Sequence, residues 1–152
     1  MRDFFQEQLK ELNRELTCMG AACEEIIAMA SASLTDYNEE LAKQVSAVGA
    51  QIDEDYRTIE AICLKLLLRQ QPVAKDLRVI SAARKMITDM ERIGDQAEDI
   101  VDLIPHMTKR KDVRYPKIRE MAKAAQTMVT EAIDAYVKQD LDLARKVMNH
   151  DD

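Results

Sequence analysis

Apolar residues recur at steps of three and four along most of the chain, the period of an α-helix with one buried stripe. Between Asp3 and Ser33 the stripe is Phe5, Leu9, Leu12, Leu16, Met19, Cys23, Ile26 and Ala30. Between Glu39 and Arg69 it is Leu41, Val45, Val48, Ile52, Ile59, Ile62 and Leu66. A third stripe follows Pro72 and runs through Ile80, Ala83, Ile87, Met90, Gly94, Ala97, Val101 and Ile104. Pro72 suits a first helical turn, where its missing N–H costs nothing. The joins at Ser33–Asn38 and around Gln71 are short, so neighbouring helices run antiparallel. Helices of about thirty residues, at about 1.5 Å rise each, are rods of roughly 45 Å. Each stripe is narrow, so the three rods must cover one another in a long left-handed bundle. Gly94 lies on the third stripe. A helical Gly costs about 1 kcal/mol relative to Ala, which predicts that another helix approaches closely there.

The segment Pro105–Pro116 breaks the pattern. It is basic, with His106, Lys109, Arg110, Lys111 and Arg114, and reads as a linker. A fourth helix is predicted over Lys117–Lys138 and a fifth from about Asp140. This tail repeats the head. An offset of 102 residues lays Ile118 on Leu16, Met121 on Met19, Met128 on Ile26, Ala132 on Ala30 and Leu143 on Leu41. The same offset lays the break Tyr136–Asp140 on Leu34–Asn38. One offset across a helix, a turn and the next helix signals an internal repeat.

The predicted organisation is all-α. It has a long antiparallel three-helix bundle over 1–104, a linker over 105–116, and an incomplete second copy of the bundle over 117–152. That copy stops before its third helix, as a fragment of a two-bundle protein would. The fourth helix then carries an uncovered stripe of Ile118, Met121, Ala125, Met128, Ala132 and Tyr136. Exposed apolar stripes seek partners. The stripe predicts a homo-oligomer, or a fourth helix folded back on the first bundle.

Composition narrows the function classes. The chain has three Gly, three Pro and few aromatics, which suits helices. Its net charge of −6, with no basic stripe, argues against a nucleic-acid partner. The charged start Met1–Leu12 is neither a signal peptide nor a membrane span, so a cytoplasmic location is predicted. Cys18, Cys23 and Cys63 read as reduced, mostly buried thiols. His106 and His150 lack zinc-ligand spacing to any Cys. No P-loop, nucleophile–base pair or Glu-x-x-His pair appears, which argues against an enzyme. The nine Met read as core filler. Arg78 and Asp76 read equally as an interface or a helix-end pair.

Candidate chemistry sits on the third helix. Glu91 and Asp95 are one turn apart and Asp99 is one turn further. Folding the second and third helices about Gln71 brings residue 53 level with 89 and residue 49 level with 93, so Asp53 faces the Glu91–Asp95 turn. Carboxylates gathered there repel unless a cation or proton compensates them. All-oxygen ligands suit hard cations such as Fe, Mn, Mg or Ca. The competing reading is a solvated acidic face with Arg84, Lys85 and Arg92 as ion-pair partners. The chain would then be a metal-free helical-bundle adaptor.

The runs QQPVAKDLR (70–78) and ERIGDQAEDI (91–100) together resemble the PhoU family of phosphate-transport accessory and regulatory proteins. IDEDYRTIEAICLKLL (52–67) is similar to the family's second helix, and LARKVMNHDD (143–152) to the opening of its second repeat. The resemblance implies two three-helix bundles, of which this chain holds the first and part of the second. It implies a non-enzymatic cytoplasmic negative regulator, working with a phosphate ABC transporter and its sensor histidine kinase. Such a protein meets the membrane only through those partners. It also implies metal binding, by Fe, Mn or another hard divalent or trivalent cation, through E/D-x-x-x-D motifs on the second and third helix of each bundle. Glu91 and Asp95 match the third-helix motif. The second-helix motif falls on 49 and 53, where Asp53 is present but Gly49 is not an acid. That leaves the first site one ligand short, with room for water or a neighbouring carboxylate. Asp151 carries the corresponding acid of the second repeat.

Overall fold

The computed structural model describes residues 2–69, 71–107 and 116–152. Among these residues it is all-helical: α1 (Arg2–Ser33), α2 (Glu39–Arg69), α3 (Ala74–Leu103), α4 (Pro116–Lys138) and α5 (Leu141–His150), with a 3-10 turn over Ile104–His106 closing α3. These bounds follow the apolar stripes to within a few residues. The basic stretch Lys109–Arg114 lies outside the described residues.

Helices α1, α2 and α3 each pack on the other two. Their stripes form one core. Leu12, Leu16, Met19, Cys23 and Ile26 meet Val45, Ile52, Ile59 and Leu66 and then Ile80, Ala83 and Ile87, all at most 1% exposed. At Gly94 α3 lies close against Ile52 of α2. A Cβ there would stand 3.2 Å from Ile52 Cδ1 and 3.4 Å from its Cγ2. The Gly on the stripe thus has the packing reason that its position predicts.

Besides Gly49, two buried residues of α2 lie off the predicted stripe. Cys63 is fully buried, and Asp55 is 8% exposed and accepts a hydrogen bond from Gln51 Nε2 at 2.9 Å. Cys18 is exposed, while Cys23 donates weakly to the Met90 carbonyl at 3.5 Å. Burial pushes the Cys23 thiol up to about 12 and the Cys63 thiol to about 11. Both are inert packing groups, because the thiolate is the reactive form.

The turns show the repeat in three dimensions. Asn38 Oδ1 accepts from the Leu41 N–H at 2.7 Å, and Asp140 Oδ1 accepts from the Leu143 N–H at 3.0 Å. Both are helix N-caps, and the offset of 102 residues lays one on the other. Gln71 and Gln139 enter the following helices through left-handed backbone, at φ 44° and 55°.

Helix α4 packs along α1. Ile133 seats over Gly20, and Gln126 Nε2 donates to the Glu24 carbonyl at 3.0 Å. Tyr136 donates its hydroxyl to the Val79 carbonyl at 2.9 Å, tying the end of α4 to the start of α3. The fourth helix therefore folds back on the first bundle. It docks through the Gln126–Ile133 flank and Tyr136; of the predicted stripe Ile118, Met121 and Ala132 stay open to solvent, while Ala125 and Met128 are half-buried.

Candidate functional site

The antiparallel pairing of α2 and α3 places Gly49 and Asp53 beside the row Glu91, Asp95 and Glu98. Gly49 is buried although it carries no side chain. The reason is Glu98, whose Oε1 sits where a Gly49 Cβ would be and whose Cγ is 3.2 Å from that position. A carboxylate from α3 therefore fills the space left by the acid missing on α2.

The electrostatics tie the four acids together. Burial raises the Glu91 carboxyl above its ordinary range, and the charges of Asp53 and Asp95 raise it further, against the pull of Arg57. Glu98 is raised by burial first, then by Asp53, Asp95, Asp102 and Asp99. Asp53 is the first-named charge acting on both groups. Among the described residues none of these four acids has a salt bridge. Arg57 pairs with Glu54 at 3.0 Å, and Arg92 pairs with Asp89 at 3.8 Å.

A carboxyl held above its unfolded value binds a proton more tightly in the fold than in the unfolded chain. Glu91 and Glu98 therefore cost stability at neutral pH. That cost is absent below the unfolded value and builds up as pH rises through the folded value.

Glu98 is the residue that spacing alone missed. Its signal was available: helical side chains tilt toward the N-terminus, so its carboxylate overlies the preceding turn, level with Gly94 and Asp95. Asp99 is exposed, and Asp151 lies apart from the four acids, lining a groove with Ile118 and Met121. The donor set has the chemistry of a hard-cation site, being carboxylate oxygen throughout. Among the described residues no group of three or more acids, His or Cys closes into a metal cage.

The PhoU domain family model matches residues 16–104 and 118–152, which takes in both the α2–α3 acidic site and the α4–α5 repeat. The chain belongs to the PhoU family. The "Phosphate-specific transport system accessory protein PhoU homolog" of Pseudomonas aeruginosa is 34% identical over 97% of this chain and 62% of its own length. The homologue of the same name from Clostridium acetobutylicum is 35% identical over 99% of this chain and 70% of its own. The chain thus spans 62% of the length of the Pseudomonas aeruginosa relative and 58% of the Pseudomonas putida one. The crystal structure of PhoU from Pseudomonas aeruginosa superposes with a TM-score of 0.86 at 34% identity, covering 97% of this chain and 71% of that one. PhoU from Streptococcus pneumoniae, 22% identical with a TM-score of 0.85, agrees in fold.

Proposed function

We propose that this PhoU-family protein is a non-enzymatic negative regulator of phosphate uptake and phosphate-starvation signalling, coupling a phosphate ABC transporter to its sensor histidine kinase. One observation carries the reading. Relatives named as phosphate-specific transport accessory proteins match this chain across 97% or more of its length at 34–35% identity. No described helix is long and apolar enough to cross a membrane, in keeping with action from the cytoplasm through partners. Deleting the gene should raise a phosphate-starvation reporter in high phosphate. An unchanged reporter would instead favour an adaptor of another pathway.

We infer in addition that Asp53, Glu91, Asp95 and Glu98 hold a hard cation such as Mn²⁺ or Fe. The support is that burial first, and then the charges of Asp53 and Asp95, hold Glu91 and Glu98 above their ordinary range. A bound cation would neutralise that charge and pin α2 to α3. Mn²⁺ should then raise the melting temperature, because a ligand that binds only the folded state stabilises it. The gain should shrink as acid protonates the carboxylates, and Asp95→Asn should abolish it without unfolding the metal-free protein. No shift in the wild type would leave a solvated acidic face.

A further inference from the structure

The turn between α2 and α3, which holds the run QQPVAKDLR, carries an exposed apolar surface. Leu68 is 81% exposed near the end of α2, and Val73 is 60% exposed at the start of α3. Leu64 and Leu77, one turn further along each helix, are 42% and 45% exposed. The register that sets residue 53 level with 89 makes two aliphatic rungs of them to within a residue, Leu68 with Val73 and Leu64 with Leu77. Leu64 and Leu68 stand about 200° round α2 from the buried Leu66, so the core does not use them. Val73 is the N-cap of α3 and makes no side-chain cap. Valine is among the weakest residues at that position, so helix stability does not account for it. Eighteen residues, five full turns, separate Val73 from Glu91 and Leu77 from Asp95. The rungs therefore share one α2–α3 face with the acids, at its other end, and Arg84 lies between. Leu77 is about 200° round α3 from Val79, which bonds Tyr136, and about 180° from Met86, which borders α5. This face is turned away from α4 and α5. Lys65, Lys75, Arg78 and Arg84 are exposed around the rungs. Among the described residues none of the four makes a salt bridge. Arg78 and Asp76 are thus not a helix-end ion pair, and a chain of net charge −6 gathers free cations around an apolar surface.

We propose that this surface docks an acidic amphipathic helix of a protein partner. The partner's apolar stripe sits on the two rungs, and its carboxylates meet Lys65, Arg78 and Arg84. Exposed apolar patches rimmed by polar groups mark such interfaces, and an amphipathic helix laid on a partner's apolar surface is a recurring mode of recognition. From Val73 to Arg84 is about 16 Å of helix, so about three turns of the partner cover the surface. Charge complementarity selects the occupant. The four cations favour an acidic partner over a basic or neutral one. An anionic bilayer is disfavoured, because the same face carries Glu91, Asp95 and Glu98, which repel lipid phosphates. The inference rests on charge and packing at this surface, and it holds whichever pathway the partner serves.

Fluorescent synthetic peptides test it, titrated with the whole chain at low salt. The probe is a short helical peptide with one Leu face and Glu on its flanks. Its counterparts carry Lys in place of Glu, or Ser in place of Leu. The chain should bind the Leu–Glu peptide about tenfold more tightly than either counterpart. Leu68→Ser and Arg78→Glu should each weaken that binding about tenfold, the worth of one buried Leu or one charge-assisted hydrogen bond. Their melting temperatures should match the wild type, because both side chains are exposed. Arg78→Glu should also gain affinity for the Leu–Lys peptide, which a merely structural change would not produce. Leu141→Ser, at a position 63% exposed on α5, should bind like the wild type. Equal affinity for all three peptides overturns the proposal, as does wild-type binding by Leu68→Ser. Tighter binding to phosphatidylglycerol vesicles would give the surface to lipid. Self-association that Leu68→Ser abolishes would give it to a second copy. Either result overturns the proposal as well.

Discussion

Replacing Ile87 with Ala is expected to cost about 2–5 kcal/mol, the range for truncating a large buried aliphatic. Ile87 is 1% exposed at the middle of α3, in the same core as Leu16, Met19 and Ile59. The truncation removes three carbons from a core that α1, α2 and α3 build together. The cost has two parts: transfer of the lost groups, and a cavity that rigid neighbouring rods cannot collapse to fill. At about 2–4 °C per kcal/mol for a chain of this size, the melting temperature should fall by about 4–20 °C. Chemical denaturation followed by helical circular dichroism reads the effect directly. Protein concentration must be held fixed, because association shifts apparent stability. A loss below about 1 kcal/mol would remove Ile87 from the core and break the third stripe.

The helices were readable because their signal is periodic and redundant. Eight stripe positions from Phe5 to Ala30 all fall on one side of α1, and an error at one is corrected by its neighbours. Asp55 and Cys63 were not readable in this way. A carboxylate is buried only when a local partner such as Gln51 satisfies it, and periodicity carries no information about partners. The docking flank of α4 was hidden for a related reason. Its most apolar stripe suggested the contact face, and Tyr136 of that stripe does reach α3, yet the helix docks on α1 through Ile133 on Gly20 and the Gln126 amide on a carbonyl. A stripe shows which face is apolar. It does not show which neighbour arrives first. For the acids, levels along two antiparallel rods set Asp53 opposite Glu91 and Asp95, and both charges act on the Glu91 carboxyl. Glu98 was missed because its backbone lies a turn away and only the reach of its side chain brings it over Gly49.

Gly94 and Gly49 should respond to substitution with opposite signs, although both are buried glycines of packed helices. At Gly94 an added Cβ meets Ile52 at 3.2 and 3.4 Å. Ile52 is 0% exposed and stiff at χ1 because it is β-branched, so it cannot move aside. Gly94→Val adds still more volume at that point and forces α2 and α3 apart. Overpacking of this kind costs about 1–3 kcal/mol, with α3 bearing the strain. At Gly49 the obstacle is the far end of Glu98, a flexible and partly exposed side chain that can swing toward solvent. Gly49→Ala therefore keeps the helix-propensity gain of about 1 kcal/mol. It also frees Glu98 from the burial, and then from the crowding by Asp53 and Asp95, that raise its carboxyl. Parallel denaturant titrations of the two variants at neutral pH make the comparison. Gly94→Val should unfold at lower denaturant than the wild type and Gly49→Ala at higher. Repeating the Gly49→Ala titration in acid separates its two contributions. The propensity gain persists at any pH, whereas the electrostatic part disappears once Glu98 is protonated. If Gly49→Ala proved as damaging as Gly94→Val, Glu98 would be a fixed strut between α2 and α3 rather than a mobile carboxylate filling a gap.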